Sequence, residues 1–533
     1  MAHIQVHSTK PPQHQMTRDA IAIWLAGVEA VRADRVVEQQ TNWDGRWLTI
    51  ADQVFDLKNA EQLIIVGAGK ATAGMLSGLY TALQRSQKKL PKMVGWINVP
   101  QGSVLPLGPL AKSVTVCLAR PQGCNEPTET AVDGTRQILN YIQRAGRNDC
   151  VLALISGGGS ALLCSPIDGV MLAEKVELTR ALSAAGANIE QLNSVRRCLS
   201  NVKGGGMARA CNARNLITCI ISDVLGDPLD LIASGPTILQ PTPDPSQAIA
   251  VLEQLLPNQF RAICNILSQQ LCLRPNAGRA LKNPNLELAP ILLANNASAV
   301  DAAGQKAVEL GYRYWMKSER KSEGDAILLG RHFAQQLNST RDQTQIDCII
   351  SGGEPTVVLP PAATRGLGGR NQQLTLALLD WFDKHGGWPT NAELAFVSGG
   401  TDGEDGPTDA AGAYVDQDVF AQMKSLQLDP EDYLNRCDAY RFFEKTAGLL
   451  QTGPTGTNVC DLRVGLVGRP DCGPATPFAG NAVVSHKEDV SGRSRWPTFF
   501  KCRSARLVGL AISVRCNPLP RRATRHQNTL PSI

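Results

Sequence analysis

Five glycine-rich polar segments in this chain each follow a short apolar run. Gly67-x-Gly69-Lys70 follows Leu63–Val66, and Ser156-Gly157-Gly158-Gly159-Ser160 follows Cys150–Ile155. Ser222-Asp223-x-x-Gly226-Asp227 follows Leu216–Ile221. Ser351-Gly352-Gly353-Glu354 follows Asp347–Ile350, and Ser398–Gly403, which contains Asp402, follows Leu394–Val397. Each apolar run reads as a strand. In open parallel sheets the carboxyl ends of strands line the ligand crevice, so five such segments predict one large site. Glycines let backbone N–H groups approach an anion without a Cβ in the way. Ser156–Ser160 therefore suits a phosphate or carboxylate; the plainer alternative is a tight strand-to-helix turn.

The sites differ in the chemistry they can support. Gly67 and Gly69 begin a dinucleotide fingerprint, but its third glycine falls on Thr72. No acid stands about 20 residues on, where ribose recognition would need one. A P-loop is also absent. Lys70 reads instead as a point charge aimed at the crevice, where phosphoryl transfer needs a cation. Asp223 and Asp227 are loop carboxylates of the type that holds Mg²⁺, unless they serve only as caps or turn formers. Arg196 and Lys203 precede Gly204–Gly206 on a probable helix; a solvated face is the ordinary role for such charges. Gly368-Gly369 sets Arg370 and Asn371 at a helix start, where a guanidinium fork can grip a carboxylate or phosphate. Thr401–Ala413 crowds four acids among glycines without the EF-hand pattern. Thr452–Leu462, with Thr455 and Asn458, is hydroxyl-rich and able to donate to a phosphate.

These residues need elements to carry them. Further strand-like runs are Met93–Val99, Ser113–Leu118 and Pro290–Ala294, and Ala299–Leu310 reads as a helix ended by Gly311. Strands alternating with helices predict an α/β fold with mostly parallel sheets covered on both faces. A length of 533 residues predicts two domains. The Pro-rich stretch Ser234–Gln247 marks the boundary, with a second weak stretch at Leu273–Asn285. The expected layout is a disordered leader over 1–16, a first domain over 17–245, a connecting region over 246–289, a second domain over 290–467 and a tail over 468–533.

Bulk properties exclude other classes. No run approaches the roughly 18 apolar residues of a membrane span. The fifteen cysteines include no Cys-x-x-Cys pair, and several sit in apolar runs, which points to reduced thiols and a cytoplasmic location. The net charge of +5 is uneven. Residues 468–533 carry 11 Lys/Arg against 3 Asp/Glu, leaving 42 against 45 elsewhere. The main body therefore shows no charge signature of nucleic-acid binding.

In order, the chain reads "VGAGKATAGM", "ISGGGSALL", "GANIEQLNSVRRCLSNVKGGGMA", "ISDVLGDPLDLIASGPT", "SGGEPTVVL…GLGGRNQQLTLALL", "SGGTDGEDGPTDAAGAYVD" and "TGPTGTNVCDL". Over Thr17–Leu462 this set resembles the glycerate 2-kinase family, whose C-terminal domain is called MOFRL. The resemblance implies a larger Rossmann-like N-terminal domain, a smaller α/β C-terminal domain and an active site in the cleft between them. It implies D-glycerate phosphorylated at its 2-hydroxyl by ATP with Mg²⁺. Lys70 and Arg370 would offset charge on the phosphoryl group and the carboxylate. Asp223 would hold Mg²⁺, with Asp227, or orient the hydroxyl. Substrate contacts would come from Gly67, Gly69, Ser156–Ser160, Arg196, Lys203, Glu354, Asn371, Asp402, Thr455 and Asn458. Monomer and homodimer both stay open. The family's usual His-Pro pair is Arg120-Pro121 here, and residues 468–533 fit nothing in the family pattern. The competing readings are a hydroxypyruvate reductase and a non-catalytic glycerate or nucleotide sensor.

Overall fold

The computed structural model describes residues 4–7, 11–103, 112–121, 126–241, 243–273, 281–340, 346–389 and 394–468. The basic tail beyond Gly468 lies outside them. A small antiparallel sheet of β1 (Thr41–Trp43), β2 (Trp47–Ile50) and β3 (Gln53–Asp56) precedes two six-stranded sheets.

The first large sheet holds β4 (Gln62–Ala68), β5 (Lys92–Pro100), β6 (Val114–Arg120), β7 (Cys150–Ser156), β8 (Asn215–Ile221) and β9 (Glu287–Ala294). All its pairs are parallel, in the order β6-β5-β4-β7-β8-β9. Numbered from its own first strand, this is the 3-2-1-4-5-6 order of a Rossmann sheet. Every residue of β7 and β8 is buried, as the unbroken apolar runs require of strands covered on both faces. The strand order reverses between β4 and β7, which places a crevice beyond Ala68 and Ser156.

The second sheet holds β10 (Tyr314–Ser318), β11 (Cys348–Gly353), β12 (Leu394–Gly400), β13 (Gly412–Val415), β14 (Leu449–Leu450) and β15 (Asp461–Val467), in the order β10-β11-β15-β12-β13-β14. It corrects the expectation of mostly parallel strands. Only β10–β11 is parallel, because β15 returns between β11 and β12 and runs against both.

Three further expectations change. Helix α1 (Gln15–Ala30) does not pack with the first sheet. Its Met16, Ala20, Ile23, Trp24 and Val28 join Leu462, Val464 and Val397 in the core of the second. The Trp24 indole donates to the Leu462 carbonyl at 3.1 Å, and Gly27 lets the helix close on Leu462 and Ala299, where a Cβ would meet atoms at 2.5 and 2.7 Å. Strand β9, expected to open the second domain, pairs with β8 as the edge of the first sheet. The expected connecting region forms helices Pro245–Leu255 and Arg261–Leu273, which bury Leu252, Ile263 and Leu267 against Leu178 and Leu182. Within the expected leader, the His7 N–H donates to Gln451 O at 2.7 Å. No helix among the described residues is long and apolar enough to cross a membrane.

Candidate active site

Lys70 sits directly beyond β4. Gly69 takes φ +146°, and a Cβ there would lie 2.1 Å from Ser156 Oγ, so the turn needs glycine. The Lys70 N–H donates to Gly157 O at 2.8 Å, and Ser156 Oγ accepts from Ala71 N at 3.0 Å, so the loops after β4 and β7 brace each other. Ser156 is thus a buried strut. The Lys70 ammonium reaches across to the second sheet, 2.9 Å from Asp402 Oδ2 and 3.0 Å from Glu404 Oε2. Burial pulls its pKa down, but the two carboxylates outweigh burial and leave it above the ordinary lysine value.

Arg370 opens the helix Arg370–Lys384. Its Nε and one terminal nitrogen form a fork on Asp461 at 2.7 and 3.0 Å, and the other terminal nitrogen meets Glu354 at 2.6 Å. Asp405 accepts the Asn371 and Gln372 backbone N–H groups at 3.0 and 2.8 Å, tying the 401–406 loop to this helix start. Burial raises the Asp405 carboxyl to about 7, although these backbone donors work against the rise. Asn371 is buried, bonded to Ser398 and Asp405, and holds the loop.

Asp223 lies after β8. Its Oδ2 accepts from Asn458 at 3.1 Å, and its backbone carbonyl accepts from the Cys460 thiol. Burial, then Glu354, raises its pKa to about 6. Gly157 lets the two lie close, since a Cβ there would sit 2.0 Å from Asp223 Oδ2 and would push that carboxylate aside.

Lys70, Arg370, Asp402, Thr455 and Asn458 line one pocket of about 1190 Å³, with Arg120, Glu404, Asp405, Cys460 and Asp461. That exceeds the roughly 300–1,000 Å³ typical of single-ligand pockets. Asp223 and Glu354 are not among the lining residues but are bonded to two that are, Asn458 and Arg370. Gly67 and Gly69 shape the turn; a Cβ at Gly67 would meet Leu154 O at 2.3 Å. Asp227 stands apart: it takes φ +56°, accepts from Asn295 at 2.6 Å and does not line the pocket. No group of three or more His, Cys, Asp or Glu side chains among the described residues is arranged to hold a metal. Lys203 and Ser160, bonded at 3.3 Å, and Arg196 lie outside the pocket lining. Sequence reasoning did not assign Glu404, Asp405, Asp461, Arg120 or Cys460. Asp405 and Glu404 were visible as acids in a glycine-rich run, but their partners 33 or more residues away were not.

A Rossmann-ordered sheet and a mixed sheet thus bring two paired cations to one pocket of an α/β protein. Residues 19–267 match the family described as a domain of unknown function, DUF4147, and residues 347–461 match the MOFRL family. The chain is 33% identical to the D-glycerate 2-kinase of Thermotoga maritima, over 84% of this chain and 97% of that protein. It is 36% identical to a putative hydroxypyruvate reductase of Agrobacterium vitis, over 76% of this chain and 87% of that one. The crystal structure of the glycerate kinase of Thermotoga maritima superposes with a TM-score of 0.68 at 31% identity, covering 85% of this chain and 99% of that chain. The chain belongs to the glycerate kinase family and is a kinase.

Proposed function

We propose that the protein transfers the terminal phosphoryl group of ATP to the 2-hydroxyl of D-glycerate, in a cleft between two domains marked by the two large sheets. The observation that carries this reading is the opposed pair Lys70 and Arg370. They come from different sheets, line one pocket, and are each held by two carboxylates. Phosphoryl transfer depends on positioning and charge neutralisation, so fixed cations on either side of a two-substrate pocket suit it. Rigid ion pairing keeps both cations in place before substrate arrives. One cation would face the transferred group and the other the glycerate carboxylate.

The residues also suit Mg²⁺. Asp223 is a half-buried carboxylate whose pKa desolvation, then Glu354, raises, and a divalent cation would relieve both influences. Asp223 and Glu354 would hold the ion, which when bound supplies neutralisation of phosphate charge. In the transfer, the substrate hydroxyl oxygen forms a bond to the γ-phosphorus as the bond to the β-bridging oxygen breaks. Asp223 would orient the substrate hydroxyl by accepting its hydrogen bond, and the hydroxyl proton leaves on the transferred phosphoryl group. A reductase reading is disfavoured by the incomplete dinucleotide turn: Thr72, in the third glycine's place, is buried and donates to Leu154 O at 3.3 Å.

The test is purified protein with D-glycerate, ATP and Mg²⁺, coupled to enolase with and without phosphoglycerate mutase. Signal without mutase is expected and identifies the 2-phosphate. Signal only with mutase would move the reaction to the 3-hydroxyl. Absence of ADP would sink the kinase chemistry.

A further inference from the structure

The two cations of the pocket are held by carboxylates on two adjacent chain segments, and one buried hydroxyl joins those segments. Strands β12 and β15 pair as far as Gly400 and Asp461. Thr401 and Cys460 are the next residues along, where both segments leave the sheet. The Thr401 N–H and Oγ–H both donate to Cys460 O, at 3.0 and 2.7 Å. The same hydroxyl accepts from the Val459 N–H at 2.8 Å. Thr401 is fully buried and is not among the pocket-lining residues, so its hydroxyl acts on the protein alone.

The neighbours of this contact give it reach. Asp402, next to Thr401, is 2.9 Å from the Lys70 ammonium. Asp461, next to Cys460, forks onto Arg370 at 2.7 and 3.0 Å. The Cys460 thiol donates to the Asp223 carbonyl at 2.9 Å, which ties in the loop after β8 of the first sheet. Cys460 takes φ +68°, a left-handed conformation that a residue other than glycine keeps where its surroundings enforce it. Thr401 supplies three of the bonds that do so. At this turn two consecutive side chains meet different sheets' residues: Cys460 meets Asp223, and Asp461 meets Arg370.

We propose that Thr401 is a positioning residue for phosphoryl transfer: its hydroxyl fixes the Cys460 turn, and the turn fixes Lys70, Arg370 and Asp223 relative to one another. The proposal rests on the kinase reading for the step it serves. The hydroxyl touches none of the three and acts through Asp402, Asp461 and the Cys460 thiol. Valine at 401 would keep the shape of the side chain and lose both hydroxyl bonds. It would also leave the buried Val459 N–H without this acceptor, so the turn would relax. Misplacing reacting groups by about 1 Å costs on the order of 10²-fold in rate.

The test compares Thr401→Val with Thr401→Ser, which keeps the hydroxyl, in the full chain. Thr446→Val is the control: Thr446 is also buried, lies outside the pocket lining, and donates to the Phe442 carbonyl at 3.0 Å. Turnover of D-glycerate and ATP is measured well below each variant's thermal midpoint. Amide hydrogen exchange is followed in the peptide covering residues 222–227. Thr401→Val should lower kcat by about tenfold or more and speed that exchange. Thr401→Ser should restore most of both, and Thr446→Val should change neither. Wild-type kcat in Thr401→Val overturns the proposal, because a hydroxyl that only stabilises the fold would move the thermal midpoint alone. Unchanged exchange at 222–227 also overturns it, as does a loss that Thr401→Ser does not repair. Should Thr401→Val not fold, Cys460→Ala, which removes the bond onto Asp223, and Cys460→Ser are read in the same way. If wild type forms no ADP, the kinase reading falls and exchange alone decides: faster exchange repaired by serine upholds the positioning of Asp223, and unchanged exchange ends it.

Discussion

At the scale of single residues, the balance of charge around Lys70 and Asp223 sets what each substitution does. Lys70→Met removes the cation and leaves Asp402 and Glu404 facing each other without it. We expect kcat to fall by on the order of 10²-fold or more, as for other lost charge-stabilising groups. Steady-state kinetics with D-glycerate and ATP would show it, and near-normal turnover would remove Lys70 from the site. Asp223 carries a prediction with a pH sign. Its pKa rises from 3.8 to about 6 on folding, so the folded state holds the proton more tightly than the unfolded chain. The contribution to stability is present below about 4, declines as pH rises towards 6, and is absent above it. Asp223→Asn escapes that decline. It should be more stable than wild type at pH 8, by up to roughly 3 kcal/mol on a shift of about two units, with a smaller gap at pH 5. Its turnover should nonetheless fall by on the order of 10²-fold. Urea titrations at both pH values check the first part; equal or lower stability at pH 8 would contradict the burial argument.

At the scale of elements, the β4–β7 junction depends on close approach of backbone. Gly157→Ala would place a methyl 2.0 Å from Asp223 Oδ2 and 2.6 Å from Asn458 Nδ2. We expect turnover to collapse while circular dichroism stays near wild type, because the clash displaces two polar side chains at a loop and leaves the sheet core untouched. Wild-type kinetics in this variant would mean that the Asp223–Asn458 contact is idle. The same elements show what the sequence could express. β7 and β8 are buried throughout, so their apolar runs stand out, and the glycine-rich turns beyond them followed from the strands. β15 was not legible. It contains Asp461 and Arg463, both fully buried, and follows a turn-rich segment that reads as loop. Arg463 is tolerated there because Glu323 pairs with it at 2.7 Å, a partner 140 residues away. Asp461 is tolerated because Arg370 forks onto it. For the same reason the site was half legible: Lys70, Asp223, Arg370, Glu354 and Asp402 could be named singly, but not the pairings by which Asp402, Glu404, Glu354 and Asp461 hold the two cations.

At the scale of the whole molecule, the chain does not fill its sheets in order. α1 belongs to the core of the second sheet, the next stretch builds the first sheet as far as β9, and only then does the chain return to build the second. Local patterning cannot reveal this, since α1 shows an amphipathic face without naming its partner. The return is tight: Asn296, just after β9, donates to the carbonyls of Val459 and Asp461 at 2.9 and 3.0 Å. The second sheet should therefore not fold without α1. A fragment over 295–468 would expose the surface that Ile23, Trp24 and Val28 cover, all fully buried in the intact chain. We expect it to bind a hydrophobic dye and to lack dispersed amide resonances, and to gain them when residues 11–32 are joined to it by a flexible linker. In the full chain, Trp24→Ala should cost about 3–5 kcal/mol from the cavity it opens, with Leu462 and Gly399 left short of an indole donor. If the fragment folded alone, the ordering would be one of chain path only. If it folds only with α1, the first thirty residues complete the half of the protein that carries Arg370, and truncations at the amino end will silence the site from a distance.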